Sequence, residues 1–174
     1  MSRYFLEISY KGTAYSGFQV QANANSIQAE IEKAFSVYFR QPVAMTGASR
    51  TDAGVHARQN YFHFDFDEGI LPQALYPLNA ILPEDICIRA ILKVAPEAHC
   101  RFDAESREYR YYIYGKKDPF LQDRAYYYPY PLEWELMQAA AARIKEMEDF
   151  EGFCKRNSQV KHYRCRIFES GWEK

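Results

Sequence analysis

The chain has 174 residues, of which 48% are hydrophobic, and a formal net charge of −1 at pH 7. This length suits one domain or two small ones with a folded core. The sequence has no run of about 18 apolar residues and no signal-peptide pattern at its start, which argues against a membrane span and favours a cytoplasmic protein.

Residues 1–96 show a regular succession of strand and helix patterns. The first strand is indicated by side chains at every second position, which are Tyr4, Leu6, Ile8 and Tyr10. The polar and aromatic stretch 15–21 that follows either stacks on bases or packs into the protein. Ser26 is a candidate N-cap for a helix that ends near Arg40.

Two further strands flank a glycine-containing loop. Residues 43–45 predict a short strand, and Ala57–Phe66 predicts a longer one with His63 on the face opposite to its phenylalanines. The second helix is marked by four leucines, which are Leu71, Leu75, Leu78 and Leu82. The fourth strand covers 86–94, and its apolar residues are assigned to one face, namely Ile86, Ile88, Ala90, Leu92 and Val94.

This β-α-β-β-α-β order predicts an α+β protein with an N-terminal domain over 1–96. The order is ferredoxin-like, with an antiparallel sheet and two helices on one face. Residues 97–174 predict a partial second α+β domain. Its expected elements are a strand over 108–114, an aromatic run over 126–130, a helix whose apolar residues run from Leu136 to Met147, and a strand over 164–169.

The charged residues are unevenly distributed in the second half of the chain. Acidic residues are concentrated between positions 133 and 151, whereas between 152 and 168 every charged residue is basic, namely Lys155, Arg156, Lys161, Arg164 and Arg166. Because phosphate binding depends on lysine and arginine, the neutral total argues weakly against a nucleic-acid partner, but this cluster permits an RNA-facing side. The alternative is a solvated charged surface.

The cysteines give no indication of a metal site. They are Cys87, Cys100, Cys154 and Cys165. No C-x-x-C pair is present, and His99 and His162 lack a second pair of ligands at zinc-like spacing. We expect reduced, partly buried thiols and no metal or other cofactor.

The loop 47–59 carries the candidate chemistry. It contains one carboxylate, Asp52, one imidazole, His56, and two guanidinium groups, Arg50 and Arg58. Glycines on both sides of the Arg-Thr-Asp triplet let the backbone turn sharply, so we expect the loop to present Arg50 and Asp52 outward. Taken alone, an aspartate in such a turn is most often a cap that accepts a backbone hydrogen bond.

The seven residues from Arg50 to His56, Arg-Thr-Asp-Ala-Gly-Val-His, resemble the signature of the TruA family of tRNA pseudouridine synthases. The similarity covers essentially all 174 residues. It includes the N-terminal motif Tyr10-Lys11-Gly12 and a later segment with His99, Arg107 and Tyr109. The resemblance implies a pseudouridine synthase fold, tRNA as the partner, the anticodon stem-loop as the target, and a homodimer.

By this resemblance Asp52 is the catalytic nucleophile. Arg50 is expected to fill the space that the flipped uridine leaves, and Tyr109 to stack on the flipped base. The residues alone also allow Arg50 to be a surface arginine and Tyr109 a core aromatic, and they favour His56 as a residue that orients the loop. Phosphate contacts are expected from several arginines, namely Arg58, Arg101, Arg107 and Arg110.

The sequence departs from the family pattern at several positions. Lys11, Phe18 and Ser49 stand where Asp, Trp and Gly are usual, and Cys100 stands where Ala is usual. The family pattern also continues beyond Lys174 with a strand and a helix that carry a basic partner for the nucleophile. We therefore expect the C-terminal part, and with it a portion of the active site, to be missing from this chain.

Pseudouridine formation breaks the C1′–N1 glycosidic bond and rejoins the base through C5, without a redox carrier or a metal. Asp52 either attacks the ribose or the base, or assists the formation of a glycal-like intermediate. The alternative function is a non-catalytic, ferredoxin-like RNA-binding module, or an inactive fragment of such an enzyme. A small-molecule hydrolase is less well supported, because the sequence has no phosphate loop or nucleophile elbow.

Overall fold

The structure, a computed structural model, describes residues 1–67, 69–70, 72–154 and 162–174. Four residues discussed above lie outside the described residues, namely Leu71 of the predicted second helix and Lys155, Arg156 and Lys161 of the basic cluster. The chain divides into two compact units, Met1–Tyr111 and Tyr112–Lys174. None of the helices described is both long and apolar enough to cross a membrane.

The first unit is built on a four-stranded antiparallel sheet. Its strands are β1 Ser2–Tyr10, β2 Thr46–Gly47, β3 Ala57–Phe66 and β4 Ile86–Val94, in the spatial order β2-β3-β1-β4. Two helices complete the unit, α1 Ile27–Phe39 and α2 Leu75–Ile81, the second preceded by a 3₁₀ turn over Pro72–Ala74. The predicted α+β class and antiparallel sheet are confirmed.

The core of this unit lies between one face of the sheet and the helices. The inward positions of β1 and β3 are buried as the alternation predicts, and Leu6 and Phe62 are fully buried. On α1 the buried residues recur at helical spacing, and Phe35 packs edge-on against Phe64 with ring centroids 5.2 Å apart. Fully burying one side chain of this size contributes about 1.5–3 kcal/mol.

The caps of α1 follow the sequence prediction. The Ser26 hydroxyl accepts a hydrogen bond from the Ala29 amide at 3.2 Å, which satisfies one of the free N–H groups of the first turn. Arg40 ends the helix with a left-handed φ of 56°. The predicted start and end of this helix are therefore confirmed.

The strand predicted over 43–45 is wrong in position, since the paired residues are Thr46 and Gly47. Side chains of α1 bind the backbone at Met45 instead of a strand partner. Glu32 accepts from the Met45 amide at 3.0 Å, and Gln28 donates to the Met45 carbonyl at 2.9 Å. Because these groups are satisfied by side chains, the ladder begins only at the next residue.

The predicted single apolar face of β4 is also wrong. The strand pairs Ile8 with Ile88 but Glu7 with Ala90, so one residue is inserted into the ladder between them. Such a bulge reverses the orientation of the residues that follow. Ile91 therefore packs against the core, whereas Leu92 is 48% exposed.

The second unit has less regular structure. It contains β5 Ile113–Tyr114 paired in parallel with β6 Tyr126–Tyr127, helix α3 Trp134–Glu146, and a 3₁₀ turn over Glu151–Phe153. The strand predicted over 108–114 is wrong except for its last two residues. The strand predicted over 164–169 is wrong as well, because within the described range 162–174 only Arg164 pairs, in an isolated bridge with Asp149.

The apolar face predicted for α3 is not the buried one. Leu136 is 69% exposed and Ile144 is 37% exposed, whereas Ala141 is buried. Among the described residues of the second unit, Ala141 is the only one that is buried. Strands and helices here lack the apolar partner surface that stabilises such elements elsewhere.

The cysteines are free thiols. Cys100 is buried, but the expectation of partial burial is wrong for Cys87, Cys154 and Cys165, which are exposed. Across residues 1–67, 69–70, 72–154 and 162–174 there is no group of three His, Cys, Asp or Glu side chains that could hold a metal ion.

Candidate active site

The backbone of the loop that carries Asp52 is fixed at both ends. The Ala48 amide donates to the Tyr61 carbonyl at 2.8 Å, which continues the β2–β3 pairing into the loop. Near the other end, His56 Nδ1 accepts a hydrogen bond from the Gly12 amide at 2.9 Å. His56 therefore orients the loop, as the residues alone favour, and its Nδ1 is engaged as an acceptor.

Thr51, between the two candidate functional residues, points toward the core. Its hydroxyl is 2.8 Å from the Tyr10 hydroxyl, and its carbonyl accepts from the Phe18 amide at 3.0 Å. Its two neighbours, Arg50 and Asp52, are exposed.

The Tyr10 hydroxyl belongs to a buried polar network beneath the loop. Asn60 donates to it at 3.3 Å, and the Asn60 carbonyl oxygen accepts from the Ser49 hydroxyl at 3.0 Å. Burial raises the pKa of the Tyr10 phenol, hydrogen bonds to Thr51 and Asn60 oppose this, and the nearby Tyr109 phenol raises it further. The network thus connects the loop to β1 and β3.

Two glycines allow the segment after β1 to approach the loop. A Cβ on Gly12 would lie 2.1 Å from the Val55 carbonyl oxygen, closer than any real contact. Gly17 has a φ of +113° and faces the Thr51 carbonyl, where a side chain would be strained. Tyr15 and Phe18 of the same segment are buried, so this stretch packs rather than stacking on bases.

The Asp52 carboxylate faces solvent at the outer side of the loop. Its backbone carbonyl accepts from the Val55 amide at 3.3 Å, and Gly54 completes the turn with a φ of +79°. In the part of the chain that the structure describes, the carboxylate forms no hydrogen bond or ion pair, and Arg50 does not pair with it. The carboxylate is therefore not the turn cap that the composition of the loop favours.

The segment 98–111 carries two further candidate residues, one of which contacts the same loop. Arg107 Nη2 donates to the Ala48 carbonyl at 3.1 Å and to the Arg101 carbonyl at 3.4 Å. Tyr109 is 66% exposed and lies near Tyr10. Tyr109 is not a core aromatic on a strand, and its face is accessible for stacking.

The remaining predicted arginines are on the surface. Arg58 is exposed near the start of β3, Arg101 is exposed in the turn after Cys100, and Arg110 forms an ion pair with Glu108. The structure thus brings Arg107 to the Asp52 loop, where it contacts the Ala48 carbonyl.

Sequence reasoning missed the polar network formed by Tyr10, Asn60 and Thr51. One signal could have revealed it. Asn60 shares the inward face of β3 with Phe62 and Phe64, and a buried amide on an apolar face requires partners. Tyr10 carries no such signal, because a tyrosine at the end of a strand fits packing equally well.

No protein family model matches the chain. It is 43% identical over 174 residues to tRNA pseudouridine synthase A of Parabacteroides distasonis, covering 99% of this chain and 69% of that protein. It is 42% identical over 173 residues to tRNA pseudouridine synthase A of Azobacteroides pseudotrichonymphae, covering 70% of that protein. The enzyme of the same name from Staphylococcus aureus is 36% identical over 171 residues, and the match covers 65% of its length.

Proposed function

This chain belongs to the tRNA pseudouridine synthase A family, and we propose that it isomerises uridine to pseudouridine in the anticodon stem-loop of tRNA with Asp52 as the nucleophile. The family membership supports the reaction and the substrate. The exposed Asp52 carboxylate on an anchored loop supports the assignment of the nucleophile.

The chemistry needs an ionised carboxylate that reaches the substrate while its backbone stays fixed. A fixed loop supplies the positioning that converts an encounter into an effectively intramolecular reaction. In the overall reaction the C1′–N1 bond breaks, the C1′–C5 bond forms, the proton leaves C5, and N1 gains a proton. The geometry is compatible with attack by Asp52 on the sugar or the base and with assistance to a glycal-like intermediate.

The proposed substrate contacts follow from the same geometry. The target base must leave its stack, at a cost of a few kcal/mol. The exposed Tyr109 ring offers a stacking surface for the flipped base, and Arg50, exposed beside Asp52, can occupy the vacated space. Arg58 and Arg107 are the proposed phosphate contacts, because both are cationic residues with exposed side chains.

The test is tritium release from a tRNA transcript labelled at C5 of its uridines, since pseudouridine formation must expel this label to water. The chain and its Asp52→Asn variant are assayed side by side, with tRNA binding measured in parallel. Tritium release by the parent chain but not by the Asp52→Asn variant, with equal tRNA binding by both proteins, supports the proposal. Binding without release by either protein favours the RNA-binding module, and unchanged release by Asp52→Asn removes Asp52 as the nucleophile.

The proposal includes the architecture implied by the family resemblance. It comprises a ferredoxin-like domain over 1–96 that carries the Asp52 loop, a second α+β domain over 97–174, and a homodimer that binds tRNA in the cytoplasm. The strand order β2-β3-β1-β4, with one helix in each crossover, supports the ferredoxin-like assignment. Analytical ultracentrifugation with and without tRNA tests the dimer, and a single monomeric species in both samples would contradict it.

A further inference from the structure

A buried thiol joins the segment after β4 to the sheet. Cys100 is 5% exposed, and its Sγ is 3.3 Å from the Thr46 carbonyl of β2, to which it donates. His63 Nδ1 on β3 lies 3.2 Å from the same sulfur. Because the thiol proton is directed at Thr46, His63 donates its Nδ1 proton to the sulfur. Burial raises the pKa of the thiol to about 11, so it stays protonated at neutral pH.

His99 forms a second contact between this segment and the sheet, through His63. Its ring lies 4.4 Å from that of His63 and 4.2 Å from that of Phe102, measured between centroids. Its Nδ1 accepts from the amides of Arg101 and Phe102, at 3.2 and 3.4 Å, so it also fixes the turn that it begins. The ring that contacts His63 is therefore itself fixed by hydrogen bonds from the backbone of the same segment.

Arg3 on β1 provides a third attachment. Its Nη1 donates to the Ala98 carbonyl at 3.1 Å, while two other guanidinium nitrogens donate to the Asp65 carboxylate at 2.8 Å each. The guanidinium is thus oriented by a bidentate partner on the neighbouring strand. Residues 98–100 are attached to three strands of the sheet.

These attachments end a few residues before Arg107. Arg107 contacts the Arg101 carbonyl within the same segment and the Ala48 carbonyl at the start of the Asp52 loop. Residues 104–106 form no helix or strand, so the position of Arg107 depends on what holds the segment at 98–101. A substitution of His63 should therefore change the position of Arg107, although the two side chains are separated.

We propose that His63, Cys100 and His99 form a clamp that holds residues 98–107 against the sheet and thereby positions Arg107 at the Asp52 loop. These are positioning residues, because no substrate atom needs to touch them. The inference deepens the proposed function at one point, since it assumes that Arg107 contacts tRNA phosphate.

The charges around the clamp favour a neutral His63. The groups that act on it are His99 and Asp103 from the segment, Arg3 from the neighbouring strand β1, and Asp65 from its own strand β3. Burial lowers the pKa of His63 first, and His99 and Arg3 lower it further, with Asp65 and Asp103 opposing. These directions favour the neutral imidazole, and the hydrogen bond to Cys100 then requires its single proton to be on Nδ1.

The first test uses the reactivity of Cys100 and needs no substrate. The three exposed cysteines are replaced, Cys87→Ser, Cys154→Ser and Cys165→Ser, which leaves Cys100 as the reporter. We expect a maleimide to react at least about 100-fold more slowly with the folded chain than with the urea-unfolded chain, because thiol reactivity requires access and thiolate. His63→Leu should raise the folded-state rate by about tenfold or more.

The matched control is Tyr61→Phe, two residues away on the same face of β3. It loses a hydroxyl that donates to Glu7 at 3.0 Å and should leave the rate unchanged. Circular dichroism confirms that each variant folds. If His63→Leu does not fold, His99→Ala replaces it, because it removes the ring contact with His63 from a partly exposed side chain. A Cys100 that stays equally protected in a folded variant overturns the clamp.

The second test is a double-mutant cycle on tRNA binding at one fixed salt concentration. Arg107→Ala should weaken binding about 5- to 10-fold, as expected for the loss of a phosphate contact, and His63→Leu should weaken it similarly. In the His63→Leu background, adding Arg107→Ala should weaken tRNA binding by less than about a further twofold. Full additivity overturns the positioning of Arg107. If the parent chain binds no tRNA, the proposed function fails, and the thiol test alone decides whether the clamp exists.

Discussion

The two units of the chain differ in how they use their apolar side chains. In Met1–Tyr111 the core cluster extends from Tyr4 to Ile88 and fills the space between sheet and helices. In Tyr112–Lys174, among the described residues, only Ala141 is buried, and large side chains such as Phe120 remain over 80% exposed. The candidate loop belongs to the first unit, where buried groups hold it.

This difference shows which parts of a protein can hold a catalytic group in a precise position. A loop is fixed when its backbone groups bond to elements that are themselves packed, as Thr51 bonds to Tyr10 of β1. Exposed aromatic side chains on poorly packed backbone can bind a partner, but they cannot hold a nucleophile within a fraction of an ångström. Four matched pairs of substitutions, one member in each unit, test this contrast.

The largest contrast is expected for apolar truncation. Phe62→Ala removes a fully buried ring that stacks on Phe18 at 4.6 Å and should lower the free energy of unfolding by about 3–5 kcal/mol. Leu136→Ala, at a 69% exposed position of α3, should change it by about 0.5 kcal/mol or less. Equal losses would contradict the contrast.

Urea denaturation is the appropriate measurement for this pair. Both tryptophans, Trp134 and Trp172, belong to the second unit, so their fluorescence follows that unit while far-ultraviolet circular dichroism follows both. Separate midpoints for the two probes would show that the units unfold independently, and each free energy would then be assigned to its own unit.

Two tyrosines of equal exposure offer the next contrast. Tyr109 in the first unit is 66% exposed and Tyr126 in the second is 67% exposed. Tyr109→Leu should reduce tritium release at least about 100-fold, equivalent to about 2.7 kcal/mol, while the melting temperature stays the same. Tyr126→Leu should stay within about twofold of the parent. Unchanged release by Tyr109→Leu would remove this residue from the site.

Glycine substitution probes the support of the loop. Gly12→Ala forces a methyl group against the Val55 carbonyl and should cost about 1–3 kcal/mol of stability. Gly152→Ala in the second unit meets no heavy atom within 4 Å and should stay within about 0.5 kcal/mol of the parent. Thermal unfolding measures both, and a neutral Gly12→Ala would mean that the loop moves freely away from this segment.

The smallest contrast is in the dependence on pH. An unfolded histidine titrates near about 6.5, and burial lowers the pKa of His63 in the folded chain. As the pH falls below about 6.5, the unfolded state therefore binds a proton at this histidine before the folded state does. The contribution of neutral His63 to the free energy of unfolding is complete above about pH 6.5 and is lost as the pH falls. His63→Gln should flatten this part of the melting-temperature profile.

The control for the pH profile is His162→Gln, since His162 is exposed in the second unit. Its profile between pH 7.5 and about 5 should follow that of the parent, because replacing an exposed surface side chain usually changes stability by no more than about 0.5 kcal/mol. If the melting temperature changes with pH by the same amount in the parent and in His63→Gln, His63 becomes protonated without a loss of stability.

Prediction from sequence succeeded where local pattern and burial agree. The bounds of α1, β3 and β4 follow from the Ser26 cap and from alternation over residues 57–66 and 86–94, and all three elements pack in the core, although in β4 the alternation agrees with burial only as far as Ile88. Over 108–114 and 164–169 the same alternation predicted strands that the structure lacks apart from Ile113 and Tyr114. Alternation states only that a strand could be half-buried, and a strand forms when a partner supplies the ladder and the apolar face.

The sequence by itself determined the α+β class, the order of elements in the first unit, and the Arg-Thr-Asp loop that identifies the family. These features depend on neighbouring residues or on a contiguous motif, which a linear sequence displays directly. Only the tertiary structure decided the bulge in β4, the hydrogen bond between Thr51 and Tyr10, and the contact of Arg107 with Ala48. Each of these joins residues 41 to 83 positions apart, and the energy of such contacts depends on packing that no local pattern encodes.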